Sequence, residues 1–87
     1  MQSLAGRTAL VTGAAGGFGR EIVRGFLREG ANVLAADVSD AGLLELQDTM
    51  AKAGFEGRLA TRYLDIADQR ACAAAVAAAE ARFGALD

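Results

Sequence analysis

Short apolar runs alternate along the chain with longer segments whose apolar residues recur at helical spacing. The runs Thr8–Thr12 and 33–36 show no polar alternation, which is typical of strands covered on both faces. Residues 58–65 alternate apolar with polar side chains, which favours a strand at a partly wet sheet edge. With a helix predicted after each strand the order is βαβαβα, and the short connections favour a parallel sheet with right-handed crossovers.

Each predicted helix carries an apolar stripe that we expect to face the sheet. In the first helix, which begins at Gly17, the stripe comprises Phe18, Ile22 and Phe26, with Val23 and Leu27 beside them. In the second helix, between a capping Ser39 and a stop at Gly54, it comprises Leu43, Leu46 and Met50. In the alanine-rich third helix, residues 68–83, it comprises Cys72, Val76, Ala79 and Phe83.

A glycine-rich loop joins the first predicted strand to the first predicted helix. Gly13 permits the tight turn out of the strand, Gly17 lets backbone approach a pyrophosphate, and Gly19 allows the helix to pack closely on the strand. The free N–H groups of the first helical turn and the positive end of its dipole favour a bound phosphate. An ordinary glycine-rich turn is the alternative, and a lone glycine pattern would favour it.

An acidic residue, Asp37, ends the second predicted strand. A carboxylate at that place can accept hydrogen bonds from both ribose hydroxyls of an adenosine. For Asp37 alone, a solvated strand-end carboxylate would be the better interpretation. Strand, glycine loop, helix and acid together predict a dinucleotide-binding site.

The spacing Thr12-Gly13-x-x-x-Gly17-x-Gly19 resembles the TGxxxGxG signature of the short-chain dehydrogenase/reductase family. Residues 4–13 also resemble the opening of that family, residues 64–66 its adenine-contacting segment, and residues 83–87 its approach to a fourth strand. The resemblance implies an α/β fold of the Rossmann type, with a parallel sheet, helices on both faces and a truncation before the fourth strand. We therefore expect residues 1–87 to form a partial NAD(P)-binding Rossmann domain.

The resemblance also implies which residues contact the adenine of the cofactor. By position, Asp65 would meet the adenine amino group, with the Ile66 backbone beside it. Capping of the following helix is an equally weighted alternative for Asp65. The candidate cofactor-binding residues are Thr12, Gly13, Gly16, Gly17, Phe18, Gly19, Asp37, Val38, Asp65 and Ile66.

The same positions predict NAD in preference to NADP. A 2′-phosphate would lie beside Asp37 and be repelled by it, and Val38 offers no compensating cation. Gly16 is also neutral, where phosphate-preferring relatives often have a basic residue. Such a charge clash is harder to accommodate than a missing contact.

The resemblance further implies hydride transfer on an alcohol or carbonyl substrate by a Ser, a Tyr and a Lys in a Tyr-x-x-x-Lys pattern, assisted by an Asn. These 87 residues contain no such set, because Ala67 stands four residues after Tyr63, the only tyrosine, and Lys52 precedes it. We expect this chain to be the front part of an NAD-dependent oxidoreductase, and we expect these 87 residues to be inactive by themselves. A non-catalytic nucleotide-binding module and an inert truncated fragment remain the alternatives.

Composition and charge bear on several other classes of protein. With no histidine and Cys72 as the only cysteine, a disulfide framework and the common zinc sites are excluded, and we expect a buried structural thiol. The net charge of −2 is spread along the chain, which gives nucleic-acid binding no support. No apolar run approaches a membrane span, and residues 1–7 do not resemble a signal peptide, so we expect a cytoplasmic protein.

The expected truncation has a structural consequence. In the family order 3-2-1-4 the first strand is central, so without a fourth strand its far edge would be unpaired. We therefore expect the isolated chain to be marginally stable or to self-associate through that edge.

Overall fold

Three parallel strands form one sheet in the computed structural model, which describes residues 4–84. The strands are β1 (Thr8–Thr12), β2 (Asn32–Asp37) and β3 (Leu59–Tyr63), in the order β1-β2-β3. The helices are α1 (Gly17–Arg28), α2 (Asp40–Lys52) and α3 (Gln69–Phe83), and a short 3₁₀ turn covers Glu56–Arg58. The predicted βαβαβα order and parallel sheet are confirmed. The predicted approach to a fourth strand, 85–87, lies outside the described residues, as does 1–3.

The helices cover both faces of the sheet, also as predicted. On one face, side chains of α1 and α2 pack against the strands in a core of Val11, Ala14, Val23, Leu27, Val33, Ala35, Leu46, Met50 and Leu59. On the other face α3 packs through a smaller cluster of Leu34, Ala36, Leu64, Ala75 and Ala79. The full burial of β2 between these clusters explains why its sequence shows no polar alternation.

The edge position of β3 is confirmed, with shorter bounds than its alternation suggested. Arg62 and Tyr63 are exposed, and Leu59 is the buried residue of the strand. Arg58, predicted as a strand residue, instead ends the 3₁₀ turn, and its side chain returns to the end of α1.

The predicted stripe of α1 was wrong in its centre. The buried residues are Gly19, Val23 and Leu27, whereas Phe18 is 84% exposed and Ile22 is 37% exposed. Because Gly19 has no side chain, this part of the helix lies nearest to the loop, and steps of four residues then turn Val23 and Leu27 inward. Phe18 and Ile22 are therefore turned away from the core, whereas Phe26 is partly buried and packs against it.

The stripe predicted for α3 was confirmed at Ala79 but was displaced elsewhere. Ala75 and Ala79 are fully buried, whereas Cys72 is only half-buried and packs at the margin. Alanine side chains let the helix approach the small Ala36 of β2 closely, which brings the alanine face inward. The expected fully buried thiol is corrected to a half-buried one, whose Sγ donates to the Ile66 carbonyl oxygen at 3.6 Å.

The helix ends follow the predicted signals. The Ser39 hydroxyl accepts from the Gly42 amide at 3.0 Å and caps α2, and the stripe Leu43, Leu46 and Met50 is buried. Gly30 and Gly54, which follow α1 and α2, adopt positive φ angles of 95° and 90°. These are conformations that glycine adopts without steric cost.

Candidate functional site

The carboxyl ends of the three strands meet at one edge of the sheet, and two hydrogen bonds beyond the strands hold them together. The Ala14 amide donates to the Ala36 carbonyl oxygen at 3.1 Å, and the Leu64 amide donates to the Asp37 carbonyl oxygen at 2.9 Å. The segments that leave β1, β2 and β3 therefore start side by side. In open α/β sheets this edge is where ligands bind.

An open groove of about 250 Å³ lies at this edge. Its lining residues are Gly13, Asp37, Val38, Leu64, Asp65 and Ile66. Five of these six are predicted cofactor-binding residues, drawn from segments that are distant in sequence. Leu64, which the sequence placed only in the adenine-contacting segment, is a further lining residue. The groove has apolar side chains, exposed at Val38 and Ile66, with a carboxylate on each side.

The remaining predicted residues, which are Thr12 before Gly13 and residues 16–19 after it, do not line the groove. Gly13 has a φ of 64°, in the left-handed region, as the predicted tight turn requires. Gly16 is the N-cap of α1 and offers no side-chain cap, and the first intrahelical bond runs from the Arg20 amide to the Gly16 carbonyl oxygen at 2.9 Å. The amides of Gly17, Phe18 and Gly19 therefore precede the helical hydrogen-bond ladder.

Open space lies around the start of α1. A Cβ added to Gly17 would meet no heavy atom within 4 Å, and both Thr12 and Phe18 are exposed. An anion can reach the backbone N–H groups here without displacing a side chain. The arrangement fits a phosphate at a helix N-terminus.

Gly19 has the opposite surroundings. A Cβ added there would overlap the Gly13 carbonyl oxygen and lie 2.9 Å from the Ala14 Cα. The first turn of α1 thus packs directly on the loop that follows β1, whereas the sequence predicted that Gly19 would allow close packing on the strand itself.

The Asp37 carboxylate already has two backbone partners. Its Oδ2 accepts from the Ala15 amide at 3.0 Å, and its Oδ1 accepts from the Ser39 amide at 2.9 Å. A carboxylate offers about four acceptor positions, so each oxygen keeps capacity for one further donor. The two bonds fix the side chain at the groove, where it is half-buried.

Asp65 was considered both as a ligand contact and as the cap of α3, and the structure assigns the cap to a different aspartate. Asp68 is the N-cap of α3, and its Oδ1 accepts from the Ala71 amide at 3.1 Å. Asp65 instead accepts from the Ala67 amide at 2.9 Å within its own turn and lies in the lining of the groove. Asp65 is therefore available at the groove without being required to cap α3.

The sequence did not predict which residues of α1 and α2 contact the loop that follows β1. Arg20 donates from Nε to the Ala15 carbonyl oxygen at 2.8 Å and from Nη1 to Glu45 Oε1 at 2.9 Å. A Cβ added to Gly42 would lie 2.6 Å from the Ala15 Cβ, so α2 also abuts the loop. These contacts join residues on different elements, and no spacing in the sequence reveals them.

The two residues set aside as catalytic candidates lie elsewhere. Lys52 forms an exposed ion pair with Asp48 at 3.1 Å on α2, and Tyr63 is exposed on β3. Within residues 4–84 no three His, Cys, Asp or Glu side chains are grouped to hold a metal ion. In that same range no helix has the length and apolar character to span a membrane.

The parallel βαβαβα sheet, with a glycine loop and a strand-end carboxylate beside one groove, defines a Rossmann-type dinucleotide-binding fold. The sequence matches the short chain dehydrogenase family over residues 7–87, and the chain belongs to that family.

Individual relatives agree with this assignment. Oxidoreductase UcpA of Salmonella typhimurium is 39% identical over 88 residues, an alignment that covers 100% of this chain and 32% of that protein. A short chain dehydrogenase/reductase from Burkholderia phymatum, solved in complex with NAD, superposes with a TM-score of 0.89 at 30% identity, over 99% of this chain and 30% of that one. A short chain dehydrogenase from Mycobacterium smegmatis gives a TM-score of 0.90 at 33% identity, over 100% of this chain and 36% of that one. The chain thus spans about a third of the length of each.

Proposed function

We propose that this chain is the NAD-binding part of an oxidoreductase that acts on an alcohol or carbonyl substrate. The groove supports this most directly, because it gathers a strand-end carboxylate, a second carboxylate and the glycine loop at the carboxyl edge of a parallel sheet. When bound, the nicotinamide supplies or accepts the hydride. The residues of this chain bind and orient the cofactor.

The adenosine and the pyrophosphate of the cofactor each have proposed partners in this chain. Asp37 accepts hydrogen bonds from the adenosine ribose hydroxyls through its remaining acceptor positions. Asp65 and the Ile66 backbone contact the adenine, with Val38 against the opposite side of the ring. The pyrophosphate lies over Gly17 at the start of α1, where the helix dipole favours its charge.

Charge supports NAD over NADP. A phosphate on the 2′ oxygen would stand next to the Asp37 carboxylate, whose two existing bonds prevent it from turning away. Arg20 is the nearest basic side chain in the network around Ala15, and it is already paired with Glu45. The phosphate would therefore meet a fixed negative charge without a free cation to balance it.

Calorimetric titration of the 87-residue chain with NAD and with NADP tests the proposal. We expect weak but measurable NAD binding, weaker NADP binding, and loss of NAD binding in Asp37→Ala. Asp48→Asn is the control, because it removes an exposed carboxylate of α2 that lies in the pair with Lys52. No NAD binding by a folded chain would overturn the proposal and favour an inert fragment.

The competing interpretation is a non-catalytic nucleotide-binding module. Such a module holds NAD or another adenine nucleotide without chemistry, so cofactor binding by this chain is common to both interpretations. The reading frame downstream of Asp87 separates them. A continuing frame that supplies an Asn, a Ser and Tyr-x-x-x-Lys supports the oxidoreductase, and a frame without them supports the module.

A further inference from the structure

Two charged side chains bind the backbone of Ala15. Its N–H donates to Asp37 Oδ2 at 3.0 Å, and the carbonyl oxygen of the same residue accepts from Arg20 Nε at 2.8 Å. Both bonds are partly buried and both involve a charged side chain, which makes them stronger than neutral hydrogen bonds. The two bonds hold the two successive peptide units that meet at the Ala15 Cα, so together they restrict the φ and ψ angles of this residue.

Arg20 is itself fixed by a second contact. Its Nη1 lies 2.9 Å from Glu45 Oε1 on α2, and the Arg20 side chain is 28% exposed while that of Glu45 is 68% exposed. The guanidinium is planar, so a bond at Nε and a bond at Nη1 together define its orientation. The loop after β1 is thereby joined to α2 as well as to the end of β2.

Packing leaves Ala15 little freedom to move. Gly42 in the first turn of α2 is so close that an added Cβ would lie 2.6 Å from the Ala15 Cβ. The Ala15 residue is thus confined by α2, by Asp37 and by Arg20. A shift of its backbone requires at least one of these contacts to break.

We propose that Arg20 is a positioning residue that orients the Asp37 carboxylate toward the cofactor through the backbone of Ala15. Arg20 touches no part of the groove. It fixes the Ala15 carbonyl, which keeps the Ala15 N–H aimed at Asp37 Oδ2 and the remaining acceptor positions of Asp37 aimed at the groove. The expected effect on NAD affinity rests on the proposed function, whereas the expected effect on the Ala15 backbone does not.

Without Arg20 the carbonyl of Ala15 loses its charged donor, and the 15–16 peptide unit can turn about the Ala15 Cα. Linked changes in the φ and ψ angles of Ala15 then displace the preceding peptide unit as well, which weakens the bond from the Ala15 N–H to the Asp37 carboxylate. Asp37 can then adopt other rotamers, of which only some suit a ribose diol. We expect NAD affinity to fall about threefold to tenfold in Arg20→Gln, which is the size of the loss of one ordinary hydrogen bond, because the Asp37 carboxylate is weakened in its orientation and not removed.

The test uses the matched pair Glu45→Gln and Asp48→Asn beside Arg20→Gln and Arg20→Lys. Glu45 and Asp48 both lie on α2, with side chains 68% and 67% exposed, and each pairs with one basic residue. Only Glu45 is linked to Ala15 through its partner. Arg20→Lys keeps the charge near Glu45 but loses the rigid fork that also reaches the Ala15 carbonyl.

The primary measurement is amide hydrogen exchange of Ala15 by NMR in the cofactor-free chain, which does not depend on NAD binding. We expect exchange to quicken about tenfold in Arg20→Gln, nearly as much in Arg20→Lys, less in Glu45→Gln, and not in Asp48→Asn. Amides in the core of β2 serve as the internal reference, because a general loss of stability would quicken these as well.

Unchanged Ala15 exchange in Arg20→Gln would overturn the inference. So would unchanged NAD affinity in a variant whose Ala15 exchange is faster. If the unsubstituted chain does not bind NAD, the proposed function fails, while the exchange measurement still decides whether Arg20 orders the Ala15–Asp37 bond.

Discussion

Gly19 packs directly against Gly13 across the turn that leads from β1 into α1. A Cβ at Gly19 would overlap the Gly13 carbonyl oxygen, which belongs to a residue held at a φ of 64°. The contact sets which face of α1 lies inward, and it places the start of the helix over the loop. The geometry of the proposed phosphate site therefore depends on the absence of a Cβ atom at Gly19.

Substitution Gly19→Ala should destabilise the chain by about 1–3 kcal/mol, the usual range for overpacking, because backbone must shift to admit the methyl group. Gly25→Ala is the control on the same helix. Its added Cβ would meet no heavy atom within 4 Å, so it should stabilise the helix by about 0.5–1 kcal/mol. Urea unfolding followed by circular dichroism measures both. Equal effects of the same sign would contradict the packing described for Gly19.

Arg58 joins the 3₁₀ turn before β3 to the end of α1. Its two terminal nitrogens donate to the Ala31 and Leu27 carbonyl oxygens at 2.7 and 2.8 Å. Arg58→Ala should lower the free energy of unfolding by about 1.5–3 kcal/mol, since both contacts are partly buried and charge-assisted. Arg62→Ala, on the exposed part of β3, should change it by less than about 0.5 kcal/mol. Thermal melts in which the two variants coincide would refute the role of Arg58.

Asp65 and Asp68 should respond to substitution in opposite ways. Asp68→Ala removes the cap of α3 and should cost about 1 kcal/mol of stability with little change in NAD affinity per folded molecule. Asp65→Ala should weaken NAD binding with a smaller effect on stability, since Asp65 lies at the groove. Chemical unfolding and calorimetry on both variants give the comparison. The reverse pattern would show that Asp65 is structural.

We predict that the second edge of β1 is a site for self-association. Among residues 4–84, β1 pairs with β2 only, and its central residues are partly exposed. Open backbone groups on an apolar strand favour pairing with another chain. We expect sedimentation velocity of the 87-residue chain to show mass increasing with concentration and thermal unfolding to be broad. A monomer at all concentrations, with a sharp transition typical of an ordinary domain, would contradict this.

The fold was predictable because its signals are local. Val33 and Leu34 lie in an uninterrupted apolar run, Ser39 precedes α2, and Gly54 follows it, so each element carries its own limits. The order of strands then follows from short right-handed crossovers. What failed was the rotation of α1 and α3 about their axes, because Phe18 and Val76 satisfy the same helical period as the residues that are buried.

The candidate site was predictable in its outline for a related reason. Parallel strands place their carboxyl ends at one edge, so Gly13, Asp37 and Asp65 were bound to meet once the order was known. The supporting network was not predictable. Arg20 and Glu45 are 25 positions apart, and their contact depends on how α1 and α2 lie beside each other on the sheet.

The most direct test of NAD binding at this groove is a two-dimensional ¹H–¹⁵N NMR titration of the 87-residue chain with NAD. If NAD binds at this groove, saturable shifts are expected at residues 13–19, at Asp37 and Val38, and at Asp65 and Ile66, with smaller changes elsewhere. A second groove, lined in part by Leu44 and Tyr63, lies between α2 and β3, and shifts confined to it would contradict binding at the first. So would a folded chain whose spectrum NAD leaves unchanged at millimolar concentration.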